Sequence, residues 1–104
     1  MMLDDTFSKV KNLLIYYKDN EIKQKIFGTD EDHNFLKHCL ECLEKYETDL
    51  IVSIMVDKIS IRCYSKKSGF SRSFISKERD RIILLIAKFF AVKESYQGFE
   101  RYAV

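Results

Sequence analysis

Two stretches of this chain carry residue types that can do chemistry. The first, "HNFLKHCLEC" at residues 33–42, brings together His33, His38 and a Cys39-x-x-Cys42 pair, all donors that zinc accepts. Structural zinc takes four converging ligands, commonly two such pairs, and the sequence has no second Cys-x-x-Cys. Cys39 and Cys42 also fall on the apolar stripe of a predicted helix, so they read as buried free thiols rather than as a metal site. Cys63 with either histidine would supply a nucleophile and a base, but no local motif assembles them. Asp30, Glu31 and Asp32 read as first-turn helix charges. With no phosphate loop and no dinucleotide glycine pattern, neither an enzyme nor a cofactor is expected.

The second stretch, "YSKKSGFSRSFISKERDRI" at residues 64–82, sets six cations among nineteen residues around a single glycine. Its chemistry is recognition of a polyanion. Arg72 can fork to a guanine edge, and Ser73, Ser76 and Lys77 can donate to base edges or phosphates. Lys66, Lys67, Arg79 and Arg81 suit phosphates, contacts that position a protein on DNA without specifying sequence. With Ser71 at the start of the second helix, these nine residues form the expected DNA-binding set.

Charge along the chain points the same way. The net charge is only +2, yet residues 1–57 carry seven Lys/Arg against twelve Asp/Glu. Residues 58–93 carry ten Lys/Arg against Glu78 and Asp80 alone. That imbalance exceeds what the alternating pairs of a solvated helix would show, and it predicts an anionic partner for the second half.

The elements that must position these residues are helices. There is no proline, and Gly28, Gly69 and Gly98 are the only glycines, a composition short of the turn residues that sandwiches and barrels use. From Asp4 to about Phe27, apolar residues recur at Phe7, Val10, Leu13, Leu14, Tyr17, Ile22 and Ile26, a helical spacing. Asp4 and Asp5 suit the positive end of that helix dipole, and Asp19-Asn20 can break the segment into two. After Gly28, Thr29 or Asp30 can cap a helix running to about Tyr46, with Phe35, Leu36, Cys39, Leu40, Leu43 and Tyr46 as its buried stripe.

Thr48 is the expected cap for a helix through "DLIVSIMVDK". Ser60 caps a short helix, "IRCYSKKS", which Gly69 stops. Ser71 then caps a long helix reaching about Val92, with Ile75, Ile82, Ile83, Ile86, Phe89 and Phe90 facing inward. The tail after residue 92 has no clear period and is expected to be loosely ordered.

A short helix, a glycine turn and a capped second helix make a helix-turn-helix. Gly69 would supply the positive φ of the turn. Ser65 would keep the helix crossing close, and Phe70 and Ile75 would plug the space between the helices. A long helix lying in a major groove would present its first turns to base edges.

With 104 residues, the chain has room for one domain. The fold class expected is all-α, a small helical bundle with a C-terminal helix-turn-helix. Residues 1–47 would serve dimerisation or partner contact, 48–92 would bind DNA, and 93–104 would be a tail. No apolar run approaches the roughly 18 residues of a membrane span, and the N-terminus lacks a basic-then-apolar signal pattern. Three cysteines, an odd number, fit free thiols in a reducing compartment. A cytoplasmic protein of a bacterial host with no membrane partner is the expectation.

Residues 48–92, "DLIVSIMVDKISIRCYSKKSGFSRSFISKERDRIILLIAKFF" with its flanks, resemble region 4 of the sigma-70 family. They are closer still to sigma-like phage transcription regulators of the ArpU and RinA type. The resemblance implies a sigma region 4-like fold and control of phage or mobile-element late genes. Two features differ from the family pattern: Tyr64-Ser65 stand where isoleucine and alanine are usual, and Glu78 occupies an apolar, core-facing position.

The function expected is therefore sequence-specific DNA binding in transcription regulation, with double-stranded DNA as partner. A homodimer would let two recognition helices reach half-sites one DNA turn apart. The alternatives are a module that docks on RNA polymerase or another regulator without reading DNA, and a small terminase-like factor that recognises packaging DNA.

Overall fold

The structure, a computed structural model, describes residues 3–103, with side chains described for residues 5–95. Every element among these residues is helical: α1 (Leu3–Ile15), α2 (Tyr17–Phe27), α3 (Glu31–Glu41), α4 (Lys45–Ile51), a π-helical turn (Val52–Val56), α5 (Ile61–Ser68) and α6 (Arg72–Ala103). The all-α expectation holds. Asp4 lies outside the residues whose side chains are described, as do residues 96–104.

α6 is the spine. Ile75 and the stripe Ile82, Ile83, Ile86, Ala87 and Phe90 are at most 1% exposed, a spacing that faces one side of a helix toward the core. Val10 and Leu14 of α1, Leu36 of α3, and Leu50 and Ile51 of α4 close over it, all fully buried. Phe35 meets Phe90 edge to face, with ring centroids 4.7 Å apart. Lys9 ties three helices at the rim, its Nζ lying 3.2 Å from Asp32 Oδ2 and 3.3 Å from Glu94 Oε1.

The boundaries depart from the sequence reading in four places. The first segment breaks at Tyr16 (φ −99°, ψ 18°) rather than at Asp19-Asn20. The break turns Tyr17 onto His33, ring centroids 4.7 Å apart, and lays α2 against α3. α3 stops at Glu41, short of Tyr46. α4 begins at Lys45 behind Glu44, whose N–H donates to Glu47 Oε1 at 3.0 Å, so the expected cap Thr48 sits inside the helix. Its hydroxyl instead donates to the carbonyl of Leu40 at 3.0 Å, pinning α4 to the end of α3. α6 continues to Ala103, beyond the expected end near Val92.

α2 has no buried residue. Beside the Tyr17–His33 ring contact, its links to α3 are polar: Glu21 Oε1 lies 2.6 Å from His33 Nε2 and 2.9 Å from Lys37 Nζ, and Gln24 donates to Asn34 at 3.0 Å. Of the apolar positions of its sequence pattern, Tyr17 packs partly buried against the core, while Ile22 and Ile26 are 58 and 68% exposed; the neighbouring Phe27 is 83% exposed.

Candidate nucleic-acid interface

The basic stretch folds into the end of α5, a three-residue connection and the start of α6. Ser60 caps α5 as expected, its hydroxyl accepting from the N–H of Cys63 at 3.1 Å. Gly69 ends α5 in the left-handed region, at φ 82°, ψ −3°. A Cβ built on Gly69 meets nothing within 4 Å, so the demand for glycine there comes from the backbone and not from crowding.

The connection is braced from inside. Ser65 Oγ donates to the Phe70 carbonyl at 2.6 Å, and the Phe70 N–H donates to Ser68 Oγ at 3.2 Å. Ser71 caps α6 by accepting from the Phe74 N–H at 3.1 Å. Ile75 is fully buried and Phe70 packs partly buried against the core.

α5 is docked by Tyr64, which is 2% exposed and donates its hydroxyl to Asp49 Oδ2 at 2.8 Å. Burial, then the Asp49 carboxylate, push the Tyr64 phenol up to about 12. An isoleucine at this position would fill space but could not make that bond.

Around this connection Lys66, Lys67, Ser71, Arg72, Ser73 and Lys77 are all exposed. Among the described residues, the four cations of this group have no ion pair or side-chain hydrogen bond. Of the seven lysines of the acidic half, Lys9, Lys18 and Lys37 pair with a carboxylate, while Lys11, Lys23, Lys25 and Lys45 are likewise exposed and unpaired among the described residues; what sets the α5–α6 group apart is its clustering around one turn. Ser73 and Lys77 stand at i, i+4 on one face of α6, so they can approach the same ligand edge.

The other members of the expected set are placed differently. Ser76 is half-buried, with its Oγ 3.5 Å from Arg79 Nη2, and Arg79 Nε donates to Asp80 at 3.1 Å. Arg81 is turned toward the protein. Its Nε donates to Glu78 Oε2 at 2.6 Å, and Nη2 donates to Glu47 and, at 3.0 Å, to Glu78 Oε1.

The Tyr46 hydroxyl completes this cluster, donating to Glu78 Oε1 at 3.3 Å. Glu78 thus lies in a polar clasp with Tyr46 and Arg81. The Glu44 N–H and then Arg81 hold Glu47 below the ordinary carboxylate range, and Arg81 does the same for Glu78. Nothing in the local spacing around Arg81 pointed to Glu47, its long-range partner, and Asp80 was likewise not singled out.

The first chemistry-bearing stretch comes apart in space. Cys39 is buried in the core, where desolvation pushes its thiol up to about 11, while Cys42 and Cys63 are exposed. His33 is fully buried against Tyr17 and Glu21, and His38 points to Glu41 at 3.8 Å on the surface. Among the described residues, no three His, Cys, Asp or Glu side chains are grouped to hold a metal ion. No described helix is long and apolar enough to cross a membrane. No family model matches the chain, and neither does any curated protein or solved structure.

Proposed function

We propose that this protein is a sequence-specific DNA-binding regulator of transcription whose α5, Gly69 connection and α6 act as a helix-turn-helix. The observation that carries this reading is the group of four exposed cations, Lys66, Lys67, Arg72 and Lys77, left unneutralised around a braced, left-handed glycine turn. Unpaired lysines also occur in the acidic half, at Lys11, Lys23, Lys25 and Lys45, but there they lie among twelve carboxylates, whereas residues 58–93 carry ten cations against two acids. Left free, the four around the turn are ready to displace counterions from phosphates.

In this reading the first turns of α6 enter the major groove. Arg72 forks to guanine, Ser73 and Lys77 donate to neighbouring base edges, and Ser76 reaches the rim. Lys66 and Lys67 hold phosphates, and Arg79 joins them when it releases Asp80. Arg81 is retained by Glu47 and Glu78 and serves to brace the bundle, so the proposal does not count on it. The setting, a phage or mobile-element regulator with a sigma region 4-like unit, rests on the resemblance of residues 48–92 alone.

The discriminating variant is Arg72→Ala with Lys77→Ala, at two exposed positions where folding should be untouched. Loss of sequence preference at about 1–3 kcal/mol per specific contact supports base readout. Unchanged discrimination between cognate and scrambled duplexes would refute it.

A second reading is favoured by one feature of α2. Ile22, Ile26 and Phe27 form an apolar face more than half exposed on a helix with no fully buried residue. Such a face fits contact with another protein, a second copy or RNA polymerase, as the role of the N-terminal region. Dimerisation through it is compatible with DNA readout by α6; docking on polymerase without any DNA affinity is the competing case.

A further inference from the structure

We infer that Phe74 is a specificity residue that reads the 5-methyl group of a thymine beside the bases contacted by Arg72 and Lys77. The inference rests on the DNA-reading role proposed above, and it adds a base-identity determinant that the hydrogen-bonding residues do not supply.

Phe74 is the third residue of α6 and is 40% exposed, although the adjacent Ile75 is fully buried and already fills the core side. Its ring is not loose. It leans on Phe70 with ring centroids 4.9 Å apart and planes tilted by 49°. Phe70 is itself fixed, because its carbonyl accepts from Ser65 Oγ and its N–H donates to Ser68 Oγ. The Phe74 backbone is held by the Ser71 cap. One face of an immobilised phenyl ring is thus backed by protein while the ring stays accessible to solvent.

The surroundings define the ligand. Arg72, Ser73 and Lys77 lie at i−2, i−1 and i+3, all exposed, so the ring sits inside the cationic group rather than on a separate apolar patch. Anything that approaches it must tolerate those cations and offer an apolar group at the same depth. In the major groove, thymine does this with its methyl, which no other base of the duplex presents. An inserting wedge would need a side chain projecting away from the helix. The Phe74 ring instead lies back on Phe70, offering a surface for contact. Cytosine presents a polar amino edge nearby and lacks the methyl, so the ring would discriminate against it by leaving polar surface unpaired.

The test begins with the duplex site selected by the intact protein from the encoding genome. Each thymine of that site is replaced singly by deoxyuridine, which removes the methyl and leaves base pairing intact. Binding of the wild type, Phe74→Ala and Phe74→Leu is measured by fluorescence anisotropy, with circular dichroism to confirm folding.

The expected result is one position where deoxyuridine weakens wild-type binding about fourfold, the effect of one buried methyl group. Phe74→Ala should bind the parent site more weakly and lose that sensitivity, and Phe74→Leu should keep part of it. A selected site at which every deoxyuridine is silent to the wild type overturns the role of Phe74 and leaves DNA reading intact, as does full sensitivity persisting in a folded Phe74→Ala. If no site is selected at all, both proposals fall. If the alanine variant does not fold, Phe74→Leu carries the comparison: reduced sensitivity at that position supports the role, and undiminished sensitivity overturns it.

Discussion

Arg81 and Glu47, 34 residues apart in sequence, are joined by a hydrogen-bonded ion pair that fastens the start of α4 to α6. Glu47 is nearly buried and Arg81 about half exposed, so the pair is screened on one side only. Truncating Arg81 leaves the nearly buried Glu47 carboxylate with the Glu44 N–H but without its countercharge. Arg81→Met is expected to cost about 1–3 kcal/mol, below the value for a fully buried pair because water reaches the guanidinium. Glu47→Gln together with Arg81→Met should cost less than the sum of the single changes. Urea denaturation of the three variants checks this, and strict additivity would contradict a shared clasp.

The same clasp gives an acid dependence with a definite sign. Glu47 and Glu78 are held below their ordinary value of 4.5 in the folded state. Their contribution to stability is therefore complete above that value and is lost as pH falls through the depressed folded values. Thermal midpoints measured from pH 6 downward should fall more steeply below about pH 4.5 for the wild type than for Glu47→Gln with Glu78→Gln.

Tyr64 sets the opposite, alkaline dependence. Its phenol is raised from 10.0 to about 12 by burial and by the Asp49 carboxylate. A raised folded value means the contribution is present below pH 10 and is lost as pH climbs toward 12. Tyr64→Phe removes the bond and should cost about 0.5–1.5 kcal/mol at neutral pH, since Asp49 is exposed and regains water. It should also flatten the alkaline limb of the stability profile. An unchanged alkaline limb in Tyr64→Phe would contradict the assignment.

Gly69 is required by its backbone conformation alone. Gly69→Ala should destabilise by about 1–2 kcal/mol through the left-handed φ, with no steric addition. Gly69→Asn should cost less, because asparagine tolerates that region. Equal losses for the two would point to a packing role instead, against the open space around this residue.

On α2, Ile26→Ser and Phe27→Ser are expected to change stability by no more than about 0.5 kcal/mol, since both side chains are solvent-exposed. Sedimentation velocity across a concentration series would show whether they abolish self-association. A wild type that stays monomeric at high concentration would remove the second copy as the occupant of this face.

Much of this architecture was legible because local rules governed it. Ser60, Gly69, Ser71 and Ile75 were assigned roles by cap chemistry, backbone conformation and spacing, and each occupies that role. The misreadings came where long-range partners decided. Thr48 looked like a cap, but Glu47 takes the N–H of Glu44 and frees the threonine hydroxyl for Leu40. Ile22 and Ile26 have core-like spacing, yet polar pairs between α2 and α3 leave them facing water. Arg81 read as one more cation for phosphate because its partner Glu47 is remote in sequence. Phe74 carries no hydrogen-bonding side chain to mark it in the sequence, and its rest on Phe70 shows only in the fold.

The central claim is tested most directly by selecting bound fragments of the encoding genome at about 50 mM and 200 mM salt. Four free cations predict that non-specific binding weakens roughly a hundredfold over that range, while one enriched site persists at the higher salt. The location of that site, at a promoter or at a packaging origin, would separate gene regulation from DNA packaging. Uniform, salt-labile binding with no enriched site, or no binding at either salt, would contradict the account.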